Sequence, residues 1–255
     1  MVQDIVALRR NYRQITENRI CLVDESDYAD LSGHLKDLEI LSQVENRAVS
    51  LYDIHRKKFI MKVGQHLSLL GYDEQMPDIQ IERYHAMIHP DDLPYVYDAE
   101  INMYRFLSDK GAQKKRYKLV YDYRVRGKTG EYVRFLHQMA IYALDRQDNA
   151  WLMLILSDVL SAFPEEELPR RFIIDMTDNS ICMFNGEHGV VRDLVTPRER
   201  EILVLISQGL QSDAIADRLC ISVHTVNNHR QNILMKTRTK HIAQAIFYLR
   251  CIGVM

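Results

Sequence analysis

The stretch from Tyr117 to Val159 constrains the fold more than any other part of this chain. It holds three runs of aromatic, β-branched and aliphatic residues: Tyr117 to Val125, Tyr132 to Leu144 and Trp151 to Val159. In the first run Leu119, Tyr121, Tyr123 and Val125 recur at every second position, the period of a strand with one buried face. Gly127-Lys128-Thr129-Gly130 and Asp145 to Asn149 separate the runs and are rich in turn formers. Strands joined by turns this short must pair antiparallel, because a parallel pair needs a crossover of a dozen residues or more.

The preceding residues extend this pattern. Ala48 to Asp53 and Lys58 to Val63 read as two short strands turned by His55-Arg56-Lys57, and Gln65 to Leu70 as a short helix. Asp91 or Asp92, after His89-Pro90, can cap a helix to about Ser108 that carries Val96, Ile101, Tyr104 and Leu107. Two strands, helices, then a three-strand meander describe an α+β sheet domain. That order, with Ile88-His89-Pro90-Asp91-Asp92 and Tyr123-Arg124-Val125-Arg126-Gly127-Lys128-Thr129-Gly130-Glu131, resembles a PAS domain over residues 44–160. The resemblance implies a domain that senses a small ligand or mediates dimerisation, with the ligand unidentified. The chain has no Cys between Cys21 and Cys182, so a flavin-photoreceptor reading lacks its reactive thiol. His89, Asp91 and Asp92 read as a helix start rather than a metal site, and His66 and His85 as partly exposed surface histidines rather than haem ligands. No cofactor and no metal are expected.

Residues 1–43 read as a helical extension, with pieces at Ile5 to Ile15 and Leu35 to Val44 around a polar break at Asp24 to Asp30. They suit packing on the sheet or on a second subunit. Residues 161–194 read as a linker, acidic from Phe163 to Pro169. A hairpin follows, Phe172 to Met176 with Ser180 to Phe184, turned by Thr177-Asp178-Asn179.

The tail differs in charge and in period. The whole chain carries 33 Lys and Arg against 35 Asp and Glu, a net charge of −2. From Val195 to Met255 there are eight cations and four anions, and no acid follows Asp217. That segment is therefore +4 and the remainder −6. An acid-free stretch suggests an anionic partner. Thr196-Pro197-Arg198-Glu199 has the form of a capping box, opening a helix with Ile202, Leu203, Leu205 and Ile206 that stops at Gly209. A second helix starts near Ser212 and carries Ile215, Ala216 and Leu219. Only Cys220 and Ile221 separate it from Ser222, the N-cap of a third helix reaching about Thr237. A fourth runs from about Lys240 to Ile252. Two short helices joined by a tight turn describe a helix-turn-helix unit.

On the third helix Val223, Val226, Ile233 and Leu234 form an inward stripe. His224, Asn227, Asn228 and Gln231 form the opposite one, at i, i+3, i+4 and i+7. Asn is a poor helix former, so a pair of them within a helix has a local cost. In a major groove Asn and Gln pair bidentately with adenine.

Residues 195–255 resemble the LuxR/NarL/FixJ-type DNA-binding domain of bacterial transcription regulators. The matching positions are Thr196, Arg198, Glu199, Glu201, Ile202, Leu203, Gly209, Ile215-Ala216, Leu219, Ile221-Ser222, Thr225-Val226, His229, Ile233 and Lys236. The resemblance implies a dimer on double-stranded DNA with the third helix in the major groove. It implies base reading by His224, Asn227, Asn228 and Gln231, and phosphate contacts from Ser222, Thr225, Arg230, Lys236 and Arg238. It also implies a dimer contact on the fourth helix, at Ala243 and Phe247 or their neighbours. The family often has Lys at positions 224 and 227 and an acid at 214, where this chain has His224, Asn227 and Ala214. Fewer cations on the reading face weaken non-specific affinity and flatten its salt dependence. Without Arg in the stripe, the expected contacts are to A·T pairs.

The longest apolar runs are well short of the roughly 20 residues of a spanning helix, and the first dozen residues do not read as a signal peptide. The four cysteines show no short ligand spacing and read as free buried thiols of a reducing cytoplasm. No phosphate-cradling loop, nucleophile motif or zinc spacing occurs, so no enzyme is expected. A receiver domain, with Asp53 as its phosphorylated residue, lacks the alternating βα pattern. A sigma-like factor needs a helical front half, an acyl-homoserine-lactone domain needs more than the single Trp151, and a protein-interaction signalling module is the remaining rival. The reading adopted is a cytoplasmic one-component transcription regulator: an α+β PAS-like domain followed by an all-α four-helix helix-turn-helix domain. Its partners are DNA, a second copy of the chain and a small molecule, with RNA polymerase as a further candidate and no membrane.

Overall fold

The computed structural model describes residues 4–29, 31–64, 70–72, 81–160, 169–184 and 187–255. It forms two compact units, Met1–Thr177 with Cys182–Val190 and Asp178–Ile181 with Val191–Met255. The helix expected from Gln65, together with His66, and the acidic stretch Phe163 to Leu168 lie outside the described residues. No helix among the described residues is long and apolar enough to cross a membrane.

The first unit opens with helices α1 (Ile5–Glu17), α2 (Glu25–Ala29) and α3 (Leu31–Glu45). Strands β1 (Ala48–Asp53) and β2 (Lys58–Val63) follow, then α4 (Ile81–His85), α5 (Leu93–Leu107) and a 3₁₀ turn at Gly111–Arg116. The meander is β3 (Tyr117–Arg126), β4 (Tyr132–Leu144) and β5 (Ala150–Val159). β6 (Arg171–Asp175), β7 (Ser180–Phe184) and β8 (Glu187–Asp193) complete one sheet of order β2-β1-β5-β4-β3-β6-β7-β8. β1 lies antiparallel between β2 and β5, with Leu51 opposite Leu154. The fold is the expected α+β one, an antiparallel sheet with helices. The hairpin at 172–184 forms, with Asn179 in the left-handed region its turn requires (φ 61°), and β6 docks antiparallel on the outer edge of β3.

Alternation in β3 decides the packing. Leu119, Tyr121, Tyr123 and Val125 face a core closed by Val96, Ala99, Met103 and Leu107 of α5. The opposite face is buried too. There Asp122 takes hydrogen bonds from Arg134 Nη1 (2.5 Å) and Arg170 Nη1 (3.0 Å), all three side chains at 2% exposure or less. Further along that face α3 brings Leu31 and Leu38 against Leu51 and Leu152. α1 packs on α5 through Tyr12, Tyr97 and Ile101.

Three expectations are corrected. Asp92 stands at the N-cap position of α5 but makes no side-chain cap bond. Its carboxylate is buried against Arg124, taking the backbone N–H (2.8 Å), Nε (2.9 Å) and Nη2 (2.6 Å), so it ties the two short PAS-like segments together. His85 is buried, not surface-exposed. Its ring stands edge-on to Tyr12 and Tyr97, and its Nδ1 lies 3.3 Å from the Tyr97 hydroxyl. Of the cysteines, all free, only Cys21 is buried, while Cys220 is exposed.

The receiver reading fails on topology, because β1 pairs antiparallel with β2 and β5, β4 with β3 and β5, and β3 with β6. Asp53 closes the β1–β2 turn instead. It is fully buried and accepts the Tyr28 hydroxyl (2.7 Å) and the N–H groups of His55 (2.9 Å) and Arg56 (3.0 Å).

Two outcomes follow from these buried polar groups. Asp92→Ala removes three hydrogen bonds from Arg124 to a buried carboxylate and should cost about 3 kcal/mol in urea unfolding, whereas Asp91→Ala, at an exposed carboxylate, should stay within about 0.5 kcal/mol. Burial pushes the His85 imidazole down from 6.5 to about 4. Between those values the unfolded chain binds a proton that the folded protein refuses. Stability is therefore complete above about 6.5 and is lost as pH falls towards about 4, by up to roughly 3 kcal/mol from this group. The loss should shrink in His85→Phe; an equal acid dependence in both proteins would show that His85 is not its source.

Candidate nucleic-acid interface and internal cavity

In the second unit Thr196 caps α6 (Pro197–Ser207). Its hydroxyl accepts the Glu199 N–H (3.2 Å) while Glu199 Oε2 accepts the Thr196 N–H (2.9 Å), the expected capping box. The same Oε2 receives Lys236 Nζ at 2.7 Å. Burial alone would raise the Glu199 carboxyl, but the bonds from Lys236 and Thr196 outweigh it and hold it below its ordinary value. α7 (Ser212–Leu219) ends at Cys220, in the left-handed region (φ 50°). Ser222 then caps α8 (Val223–Thr237) by accepting the Thr225 N–H at 3.0 Å. Ile202, Leu205, Ile215, Ala216 and Val226 close a common core, and α9 (Ile242–Cys251) buries Ala245, Tyr248 and Leu249. α9 starts two residues later than expected, because Gln244 accepts the His241 N–H in a capping arrangement.

α8 presents His224, Asn227, Asn228 and Gln231 to solvent, all four exposed. They are not independent. Asn227 Oδ1 accepts the Ser212 hydroxyl from α7 (2.9 Å), which turns its amide N–H groups outward. Asn228 Nδ2 lies 3.2 Å from His224 Nε2. The inward stripe is Val226, Ile233 and Thr237. Val223 departs from the expectation at 43% exposed, while Val226 in the same turn is fully buried.

The cations fall into two groups. Arg198 bonds Glu201 (2.6 Å) and the Leu219 carbonyl (3.0 Å), Arg200 bonds the Val254 carbonyl, and Lys236 is committed to Glu199. The side chains of Arg218, Arg230, Lys240 and Arg250 have no hydrogen-bond or ion-pair partner among the described residues. Ser222 and Thr225 share a hydroxyl contact of 2.8 Å at the start of α8. Arg238, its C-cap, is exposed. Ala243 and Phe247 are exposed one turn apart on α9.

The first unit holds a partly open cavity of about 890 Å³ between the sheet, α1, α4 and α5. That volume suits a drug-sized ligand. Sequence reasoning placed no lining residue here, because the walls come from elements far apart in the chain. Tyr121 Oη donates to Glu100 Oε1 at 2.8 Å, and the Tyr84 and Tyr123 hydroxyls are 2.8 Å apart. Burial raises the Glu100 carboxyl, against the bonds it receives from Tyr121 and Tyr12. No group of three His, Cys, Asp or Glu that could hold a metal occurs among the described residues.

Comparison with known proteins separates the two units. Over the whole chain the likeness to solved structures is distant. A phage VqmA in complex with DPO is 13% identical, covering 87% of this chain and 90% of that chain at a TM-score of 0.33. The N-terminal domain of a diguanylate cyclase with PAS/PAC sensor from Marinobacter aquaeolei is 18% identical, covering 46% of this chain and 96% of that one at a TM-score of 0.36. The transcriptional regulatory protein LiaR of Bacillus subtilis is 38% identical over 64 residues, 25% of this chain. The match spans only 30% of LiaR's own length. Residues 193–249 match the family model of the bacterial regulatory proteins of the luxR family. The C-terminal unit is a LuxR-family helix-turn-helix domain.

Proposed function

We propose that this chain is a one-component transcription regulator. It binds specific DNA as a homodimer through α8, under the control of a small molecule held in the cavity of the PAS-like unit. The observation that carries the reading is the exposed amide stripe of α8 beside Arg230, whose side chain has no ion-pair partner among the described residues. A helix of this kind suits a major groove, where Asn and Gln read base edges and Arg and Lys meet phosphates.

The roles divide by geometry. His224, Asn227, Asn228 and Gln231 are assigned to base edges. Asn227, with its oxygen taken by Ser212, offers donors, while Asn228 keeps an acceptor outward. Ser222, Thr225, Arg230 and Arg238 are assigned to phosphates. Lys236 was expected among them, but its bond to buried Glu199 gives it a structural role first. Ala243 and Phe247 are the proposed dimer contact; pairing two copies doubles a modest charge and sets the half-site spacing. The role is non-enzymatic.

A mobility-shift titration of the full chain against selected and scrambled duplexes tests the assignments. Asn228→Ala and Gln231→Ala should each reduce discrimination by about 1–3 kcal/mol. Arg230→Gln should weaken both duplexes alike and lower the salt slope by about one. Lys236→Gln should chiefly lower the melting temperature of the C-terminal unit. Unchanged site preference in the Asn228 and Gln231 variants would refute the assignment of the reading face.

A further inference from the structure

We propose that the cavity of the N-terminal unit takes a small aromatic carboxylate. Its carboxylate would be held by Arg9, Arg13 and Arg19, and its rings would lie among the tyrosines. The inference deepens the sensor reading above and rests on it.

Arg9 and Arg13, one turn apart on α1, and Arg19 just beyond it all line the cavity, as do Lys57 and Lys62. The lining acids are Glu17, Glu82 and Glu100. None of the three arginines has a carboxylate within 4.0 Å among the described residues. Arg19 is the most informative because it is half-buried. Its guanidinium lies 3.3 Å from the Tyr104 ring centroid, and its Nε reaches the Ile15 carbonyl at 3.3 Å. The contacts with Tyr104 and Ile15 hold the guanidinium in place, and a guanidinium so held can grip a carboxylate in two parallel bonds.

The body of the ligand follows from the walls. Tyr12, Tyr52, Tyr97, Tyr121 and Tyr123 give flat, rigid faces, and Met139 and Met153 give soft sulfur contacts to rings. An aliphatic dianion would waste these faces. A cationic amine would need Glu100 as its counter-ion. Glu100, however, already accepts the Tyr121 hydroxyl, burial favours its uncharged form, and the arginines repel such a ligand. A neutral ring would leave the half-buried Arg19 without an anion.

Calorimetric titration of the full chain with three isosteric probes tests this: 2-naphthoate, 2-naphthamide and 2-naphthylmethylammonium. The expected result is that the acid binds about tenfold tighter than the amide, the scale of a charge-assisted bond pair. Arg13→Gln and Arg19→Gln should each weaken the acid about tenfold and leave the amide unchanged. Arg19→Lys should restore part of the loss. Arg13 is exposed, so its variant guards against misfolding at Arg19. Equal or tighter binding of the amide or the ammonium would overturn the ligand class and leave a ligand-binding sensor standing. Acid binding insensitive to both arginine variants would overturn the site, and silence with all three probes would overturn the proposal as a whole. Native mass spectrometry of the purified chain for a co-purified molecule then decides the sensor reading separately.

Discussion

The pairing of β1 with β5 is the constraint on which the N-terminal unit depends. It sets Ala48–Asp53 against residues about a hundred positions later, with Val49 opposite Leu156 and Asp53 opposite Leu152. Closing so long a loop has an entropy cost that local contacts cannot offset. The compensation is a continuous sheet with both faces buried. One face carries Tyr121, Tyr123, Met139 and Met153 towards α5 and the cavity. The other carries Leu51 and Leu152 towards α3. Without this pairing β1 and β2 would be an isolated hairpin, marginal in water, and the cavity would lose a wall.

The C-terminal unit rests on a different economy. Its helices are short and each is stopped by local chemistry: Thr196, Ser222 and His241 at N-caps, Cys220 and Arg238 in left-handed C-caps. The ion pair of buried Glu199 with partly exposed Lys236 joins the start of α6 to the last turn of α8. A single carboxylate thereby caps one helix and anchors another, and the polar stripe of α8 is presented on a fixed support.

What could be read from the sequence follows this difference. The helix-turn-helix was legible because caps, spacing and apolar stripes are local signals, and the capping box formed residue for residue. The strands β1 to β5 were legible from alternation and turn residues. The docking of β6 on β3 was not, because a free sheet edge leaves no mark on the strand that will cover it. The burial of His85 was not legible either: its partners Tyr12 and Tyr97 stand on other helices, and nothing in the residues around it announces them. Asp92 misled for the opposite reason. A cap was the nearest local use for its carboxylate, and Arg124 lay 32 residues away. The cavity is the extreme case, since α1 reaches it only by packing on α5.

The account joins a cavity able to receive a small molecule with a helix-turn-helix able to read DNA, and the second half bears its central claim. Selection of duplexes from a random pool by the full chain, followed by hydroxyl-radical footprinting, tests it most directly. The account predicts a (pseudo)palindromic site with two protected segments about one helical turn apart, centred on the major groove. Protection confined to one half-site, or no enrichment of any sequence at low salt, would contradict it.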